Sequence, residues 1–301
     1  MTENIVRSKA GMKTDRFTGI FYAVLAAALY AASTPFSKLL LENIQPSVMA
    51  SLLYLGAGFG MLVTGGIRKA VRASGPEIDF EKGDIPYIAG MIILDIAAPI
   101  LLMSGLLHTA AANVSLLNNF EIVATSVIAF SLFREKISGK VWTAIVLITV
   151  SCILLSAEEK DSFSFSSGSV SVLLACVCWG FENNCTRKLS GRDPLKVVVI
   201  KGIFSGTGAL AVACLKGEHF AAARYAVMAM LLGFAAYGLS IFFYIRAQKV
   251  LGAARTSAFY AVSPFIGTAL SFLIFGEAPS SLFVIALIFM AAGTMLIVRE
   301  K

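Results

Sequence analysis

The sequence predicts an all-α integral membrane protein in which ten transmembrane helices form two inverted five-helix repeats. Three observations lead to this fold class: the apolar composition, the length of the apolar runs, and weak similarities between the two halves of the chain. Hydrophobic residues make up 57% of the 301 residues and charged residues only 14%, whereas a soluble domain has about 25% charged residues. The composition therefore places the chain in a lipid bilayer.

The apolar runs have the length that a membrane-spanning helix needs. Turns, prolines and charges divide the sequence into candidate spans of about 18 to 23 residues, enough to cross roughly 30 Å of hydrocarbon. Helix is the predicted conformation, because a bilayer leaves the backbone no water to bond and the runs lack the period-2 alternation of a barrel. In chain order the spans are 17–38, 47–67, 85–107, 112–132, 140–157, 168–188, 195–215, 225–246, 255–275 and 281–298.

The basic residues test this count independently, since cytoplasmic loops collect Lys and Arg. One set of alternate loops holds 20 Lys and Arg residues, the other set holds 4, and Lys201 lies inside a span. A missed or invented span would destroy this asymmetry, because every later loop would change sides. We therefore expect a multi-pass protein of the inner (plasma) membrane, with a tail at 1–16 and the C-terminus at 299–301 both cytoplasmic.

The two halves resemble each other in the placement of small, aromatic and charged residues. Segment 25–40 is echoed by 174–189 at an offset of 149 residues, and 133–138 is echoed by 275–280 at an offset of 142. Five spans per half is an odd number, so the two copies must cross the membrane in opposite directions. The predicted repeats are 17–157 and 168–298, joined by an external linker at 158–167.

Two kinds of short motif recur in both halves, an aromatic-small pair followed by a base in the first helix and a Phe-x-Glu near the fourth. They are Tyr30-Ala31 with Lys38, Trp179-Gly180 with Arg187, Phe133-Arg134-Glu135 and Phe275-Gly276-Glu277. With the ten spans, these motifs resemble the EamA family of the drug/metabolite transporter superfamily, over about residues 17–298. The resemblance implies a secondary active transporter of a small polar metabolite such as an amino acid or an amine, and it favours export. One departure is that the common Glu-Pro pair of the fourth helix is replaced by Glu121-Ile122 in one half and Ser263-Pro264 in the other.

Other functional classes fit the sequence less well. The net charge of +7 is dispersed over short loops, so we expect no nucleic-acid partner. The five cysteines lie in apolar runs without Cys-x2-Cys spacing, which predicts no metal and no cofactor. The two histidines form no His-Glu-x-x-His pattern, and no Walker A sequence is present, so neither an enzyme nor an ATP-driven pump is expected. A facilitative uniporter, a channel or a non-transporting scaffold stays open as an alternative.

Two carboxylates near the membrane midplane are the first candidate site residues. Asp95 lies about ten residues into the third span, and Glu121 lies about ten residues into the fourth. An ionisable group at this depth costs roughly 2.5–3.5 kcal/mol, so it should be paired or face a cavity. The two side chains together would bind an amine-bearing substrate and exchange a proton, which makes a proton a candidate coupling ion. Alternatively, each carboxylate is a packing residue bonded to a neighbouring helix.

Glu182 and Lys201 lie at similar depth on consecutive spans, which predicts an ion pair. Such a buried pair is either a structural latch between two helices or a gate that opens when a substrate or a proton competes for one partner. Amide and aromatic side chains at membrane depth add polar groups and a wall for a small molecule. The further substrate-binding candidates are Asn118, Asn119, Asn183, Tyr30, Trp179, Tyr237 and Tyr260.

Prolines and glycines within the spans predict bends and close packing. Pro35, Pro99 and Pro264 interrupt spans 1, 3 and 9 and are candidate hinges. The Gly56-x-Gly58-x-Gly60 pattern indicates a close helix contact.

The charged candidates have uncharged counterparts in the other repeat. Asp95, Glu121, Glu182 and Lys201 align with Tyr237, Ser263, Ser33 and Leu53. We therefore expect the transport chemistry to lie where the two halves differ.

Overall fold

The computed structural model describes residues 2–70, 80–134, 136–157, 166–189, 191–251, 256, 259–276 and 278–300, and these residues form helices joined by short turns. A 3-10 turn, Lys82–Asp84, and a π-helical segment, Phe234–Leu239, each lead directly into an α-helix. The helices of the first half are α1 (Thr2–Ala31), α2 (Ser33–Leu40), α3 (Pro46–Ala70), α4 (Ile85–Leu107), α5 (Ala111–Leu117), α6 (Phe120–Phe133) and α7 (Gly139–Ala157). Those of the second half are α8 (Ser167–Lys188), α9 (Pro194–Leu215), α10 (Ala223–Gly233), α11 (Ser240–Leu251), α12 (Ser263–Phe275) and α13 (Ser281–Glu300).

The described part of the chain contains eight helical segments that are long and apolar enough to cross a membrane, so this is a multi-pass membrane protein. The predicted spans 168–188 and 255–275 are not among the eight. α8 has the necessary 22 residues, but its last part, from Glu182 to Lys188, is polar. α12 has only 13 residues. The eight segments are Phe17–Leu40, Pro46–Arg68, Lys82–Leu107, Ala111–Leu132, Gly139–Ala157, Pro194–Leu215, Ala223–Tyr244 and Ser281–Arg299.

The main helix contacts join one half of the chain to the other. α3 packs along α9 and α7 packs along α13, while α4 packs along α8 and α1 packs along α11. In the predicted repeat, α3 corresponds to α9 and α7 to α13, so each of the first two pairs joins a helix to its own counterpart. Because α1 corresponds to α8 and α4 to α10–α11, the α4–α8 pair is the counterpart of the α1–α11 pair. Two inverted five-helix repeats would pair in this way, and the repeats themselves stay a prediction.

The same local geometry recurs where α6 and α12 end. Arg134 and Gly276, which are 142 residues apart, both have left-handed backbones, with φ of 53° and 65°. The next helices then begin alike, because the Ser138 Oγ accepts the Val141 N–H at 3.4 Å and the Ser280 Oγ accepts the Phe283 N–H at 3.0 Å. Glu135 and Glu277, which belong to the predicted similarity, lie outside the described residues.

The fourth predicted span is broken, where the sequence predicted one helix over 112–132. The break is at Asn118-Asn119, between α5 and α6. Its cause is local, since the Asn119 Nδ2 donates to the Leu116 carbonyl at 3.3 Å and so competes with the helical hydrogen bonds.

The three candidate hinge prolines occupy different positions in their helices. Pro99 lies inside α4, and Pro35 lies in α2, after a break at Ala32. Pro264 is the second residue of α12 and follows a turn at 261–262, which separates α12 from the helical residues 259–260. The predicted interruption of span 9 is therefore present, and Pro264 lies where the helix resumes. The first turn tolerates proline, because its N–H would have no helical partner there.

Glycines allow α3 to approach α9 and α10 closely. A Cβ added to Gly202 would lie 2.4 Å from the Gly58 nitrogen, and one added to Gly56 would lie 2.1 Å from the Met230 carbonyl oxygen. Both obstacles are backbone atoms, which cannot move without moving a helix. The predicted role of Gly56 and Gly58 in close packing is therefore confirmed.

Substituting Gly56 with Ala is expected to destabilise the protein by about 1–3 kcal/mol, because the helices must separate. Gly66, on the same helix, has no atom within 4 Å of an added Cβ. Gly66→Ala is the matched control and should be neutral or stabilising by up to about 1 kcal/mol. Thermal unfolding of the purified protein in detergent measures both effects. Equal midpoint shifts for the two variants would contradict this account of the packing.

Candidate functional site

A buried lysine links three helices at the centre of the site. The Lys201 Nζ on α9 lies 3.0 Å from the Asp95 Oδ2 on α4 and 3.0 Å from the Glu182 Oε1 on α8. Asp95 is fully buried, Glu182 is 2% exposed, and the Lys201 side chain is 16% exposed. Buried charges require such partners, because an unpaired one loses its hydration without compensation. The predicted Glu182–Lys201 contact is present and Asp95 joins it, while its role as latch or gate remains a prediction.

Tyr54 connects this charged group to the aromatic residues. Its hydroxyl donates to the Asp95 Oδ1 at 2.9 Å and accepts from the Trp179 Nε1 at 3.4 Å. Its ring centroid lies 5.6 Å from that of Tyr237. The sequence analysis did not select Tyr54, because it lies in an apolar run and belongs to neither echo. One feature of the sequence could have pointed to Tyr54, because it follows Leu53, which the sequence analysis aligned with Lys201.

The predicted aromatic residues form a continuous group with Tyr54. The ring of Tyr30 lies 5.9 Å from that of Tyr237 and 5.7 Å from that of Tyr260. The Tyr260 ring lies 4.9 Å from that of Tyr244. Tyr237 stands in the π-helical segment, a distortion that is frequent at functional sites. The structure thus places tyrosine rings from both halves, with their hydroxyl groups, next to the Asp95–Lys201–Glu182 group.

Glu121 lies beside this group with partners of its own. The Asn183 Nδ2 donates to the Glu121 Oε1 at 2.6 Å and to the Thr125 Oγ1 at 3.2 Å. Glu121 stands in the first turn of α6, after the helix break, where the helix dipole stabilises a negative charge. Its carboxylate also interacts electrostatically with Glu182 and Lys201.

The two midplane carboxylates are therefore not partners of each other, although the sequence analysis placed them in one pair. Asp95 bonds to Tyr54 and Lys201, whereas Glu121 bonds to Asn183. The difference arises because Lys201, from the second half, takes up the space next to Asp95. The acidic neighbour of Asp95 is instead Glu182, on the other side of the same ammonium.

The asparagine pair at the helix break is divided between two environments. Asn119 is 1% exposed and its amide closes the end of α5. Asn118 is half-buried, and its backbone carbonyl faces the Cys176 thiol at 3.9 Å. Among the described residues, neither Asn118 Oδ1 nor Asn119 Oδ1 has a hydrogen-bond partner.

The residues that align with the charged group in the other repeat form a neutral group. The Ser33 Oγ donates to the Tyr237 hydroxyl at 2.9 Å, and these two residues are the counterparts of Glu182 and Asp95. Leu52, which the offset of 149 residues places opposite Lys201, is half-buried, and its neighbour Leu53, which the sequence analysis aligned with Lys201, is fully buried. The charged group thus has two carboxylates bridged by an ammonium, whereas the equivalent residues form a direct hydrogen bond between two hydroxyls.

Loops from the two halves also meet at both ends of α9. At the predicted outer end, the Glu218 Oε2 accepts the N–H groups of Ser47 and Val48 at 2.9 and 3.0 Å. In addition, the Lys216 Nζ donates to the Ser47 Oγ at 3.2 Å. These bonds tie the loop after α9 to the start of α3.

At the predicted cytoplasmic end, Arg192 pairs with two carboxylates of the loop before α4. Its Nη1 lies 2.9 Å from the Glu81 Oε1, and its Nε lies 2.8 Å from the Asp84 Oδ2. The hydrogen bonds that Arg192 donates to Glu81 and Asp84 raise the pKa of its guanidinium above the ordinary value. In the predicted repeat, the loop before α9 corresponds to the loop before α3, and the loop before α4 corresponds to the loop after α9. The contacts at the two ends of α9 are therefore equivalent.

Comparison with known proteins gives a family and a fold. The profile of the EamA-like transporter family matches residues 17–157 and 166–299. An uncharacterized transporter of Methanothermobacter thermautotrophicus is 23% identical over 305 aligned positions, which cover 95% of this chain and 88% of that protein. A crystal structure described only as that of a protein superimposes with a TM-score of 0.64 at 15% identity, covering 94% of this chain and 95% of the other. The last similarity shows a shared fold alone.

Proposed function

Because this chain belongs to the EamA-like transporter family, we propose that it is a secondary active transporter that exports a small polar metabolite such as an amino acid or an amine. The family and the similar transporter establish the coarser statement, that the protein is a membrane transporter. The substrate class, the direction and the energy source are the parts proposed here.

The observation that carries the proposal is the position of Lys201 between Asp95 and Glu182. Three helices must each bury a charge to build this group, and an apolar contact of the same volume would hold them at least as well. Ionisable groups at membrane depth are typically found on substrate and ion pathways. A site that exchanges partners during transport explains why the charges are there.

The charges and rings of the site favour a ligand with an amino group. The Asp95 and Glu182 carboxylates contact the Lys201 ammonium, and Glu121 is a third carboxylate close enough to interact electrostatically with it. The excess negative charge attracts a cation, and neighbouring tyrosine rings stabilise it through their π faces. A substrate ammonium would bind Glu121 or displace Lys201 from one of its partners. Protonation of one of these carboxylates would also break its ion pair with Lys201. Proton binding and substrate binding could be coupled in this way.

The proposed mechanism is alternating access between inverted repeats at 17–157 and 168–298. The pairing of helices under exchange of the halves supports this arrangement, as do the equivalent loop contacts at the two ends of α9. Both termini would then be cytoplasmic, with ten spans that include α8 and α12. Bends at Pro35, Pro99 and the start of α12 would act as hinges.

Flux measurements in proteoliposomes test the function directly. The purified protein is reconstituted, and uptake and efflux of labelled amino acids and amines are followed with and without an imposed pH gradient. Saturable flux that the gradient accelerates is expected. Saturable flux whose rate does not change with the pH gradient would indicate a uniporter. Absence of flux for every solute tested would favour a non-transporting scaffold.

Replacing Arg192 by Gln is expected to open the predicted cytoplasmic end. Cys185 is half-buried on α8, with its Sγ 3.1 Å from a Cβ placed on Gly90 of α4, so it reports on this end of the bundle. In a variant that keeps Cys185 as its only cysteine, Arg192→Gln should increase the rate of maleimide labelling severalfold.

Two further variants control this experiment. Lys136→Gln removes an exposed charge from a loop on the same predicted side and should leave the rate unchanged. Glu218→Gln weakens the contact at the other end and should lower the rate, because the outer end then opens. If Arg192→Gln and Lys136→Gln gave the same rate, the Arg192 contacts would have no part in gating.

A further inference from the structure

Two arginines contact a single aromatic ring at the end of the bundle where α3 and α11 finish. The Arg68 Cζ lies 5.5 Å from the centroid of the Phe242 ring, and the Arg246 Cζ lies 4.9 Å from it. The two guanidinium carbons are therefore at most about 10 Å apart. Arg246 follows Phe242 by one helical turn on α11, while Arg68 comes from α3 in the other half of the chain.

These two charges lack an acidic partner within the part of the chain that the structure describes. The ion pairs found there involve Arg192 and Lys201, and neither Arg68 nor Arg246 lies within 4 Å of a described carboxylate. The Arg68 Nε is buried and has no acceptor among the described residues. The ring attracts each guanidinium, but the two positive charges repel each other. An anion between the two guanidinium groups would offset this repulsion.

We propose that Arg68 and Arg246 bind the phosphate of an anionic phospholipid, with Phe242 as the platform that orients both guanidinium groups. The planar guanidinium offers paired N–H donors that match the oxygens of a phosphate. A lipid fits better than a free phosphate, because each arginine has exposed apolar side chains within about one and a half turns on its own helix. Val63 and Ile67 on α3 are 60% and 61% exposed, and Val250 on α11 is 45% exposed. Acyl chains would cover this surface.

The opposite end of the bundle has no such pair among the described residues. Ile100 and Ser104 stand at the positions equivalent to Phe242 and Arg246. Gly217 stands at the position equivalent to Arg68, and the neighbouring Lys216 donates to the Ser47 Oγ. The site therefore occurs at one end only, and by the distribution of Lys and Arg this is the predicted cytoplasmic end. Basic pockets between helices on that side bind anionic headgroups.

Native mass spectrometry of the purified full-length protein tests the proposal. The protein in detergent is titrated separately with phosphatidylglycerol, phosphatidylcholine and inorganic phosphate. Phosphatidylglycerol should be retained in preference to phosphatidylcholine, and millimolar inorganic phosphate should not displace it. The double variant Arg68→Gln/Arg246→Gln should weaken retention by at least about tenfold.

Matched variants separate a specific site from general charge and from misfolding. Lys136→Gln/Arg299→Gln removes two exposed charges elsewhere and should retain the lipid as the parent protein does. Arg68→Lys/Arg246→Lys keeps the charge and should retain part of the affinity, which also shows that the position tolerates substitution. Equal retention by the Gln double variant and the parent would overturn the proposal. Displacement by inorganic phosphate would instead assign the site to a free anion.

Discussion

Replacing Lys201 by Met is expected to destabilise the protein by about 3–5 kcal/mol and to abolish transport. The substitution leaves Asp95 and Glu182 buried on either side of an apolar side chain, with no cation between them. Both carboxylates would have to be protonated or draw in water, and the contact between α4, α8 and α9 would loosen. Chemical or thermal unfolding in detergent measures the loss of stability, and proteoliposome flux measures the loss of transport.

A fully neutral variant separates the structural from the functional contribution. The triple substitution Asp95→Asn/Glu182→Gln/Lys201→Met removes all three charges and should recover most of the lost stability, since amides satisfy one another by hydrogen bonding. It should still not transport. Recovery of both stability and flux would contradict a functional role and make the charged group a latch. Lys201→Arg, which keeps the charge, should remain close to the parent in stability.

Replacing Asp95 by Asn and Glu121 by Gln together is expected to abolish solute flux while the protein remains folded. Hydrogen bonds to charged groups contribute about 1.5–3 kcal/mol each, so each lost carboxylate should weaken binding roughly tenfold to a hundredfold. The fold should survive, because an amide can still bond to Tyr54 or Asn183. Glu42→Gln, an exposed carboxylate at the predicted outer end, is the matched control. Size-exclusion profiles confirm that each variant is folded.

The sequence specifies the membrane class and most of the helices, because the bilayer imposes one simple rule on length and polarity. Eight of the predicted spans correspond to apolar helical segments of spanning length. The rule is weakest where function adds polar groups, so α8, with Glu182 to Lys188 at its end, does not meet it. The break at Asn118-Asn119 was not predicted, because it depends on a side chain bonding to a carbonyl of the preceding turn.

The candidate site was predictable in its residue types but not in its pairings. Charges at membrane depth are rare, so Asp95, Glu182 and Lys201 could be identified from the sequence alone. Which carboxylate contacts which cation depends on how helices of the two halves face each other. The pattern of residues along each helix does not show this. Tyr54 shows the same limit, since a tyrosine in an apolar run becomes a site residue only when a neighbouring helix brings Asp95 to its hydroxyl.

Flux through the Asp95→Asn/Glu121→Gln double variant tests the central claim most directly. Parent and variant are reconstituted at equal density, and exchange of labelled amino acids and amines is measured with and without a pH gradient. The account predicts saturable exchange in the parent and in Glu42→Gln, and no exchange above the protein-free background in the double variant. Undiminished exchange in a folded double variant would contradict it, because transport would then not pass through this site.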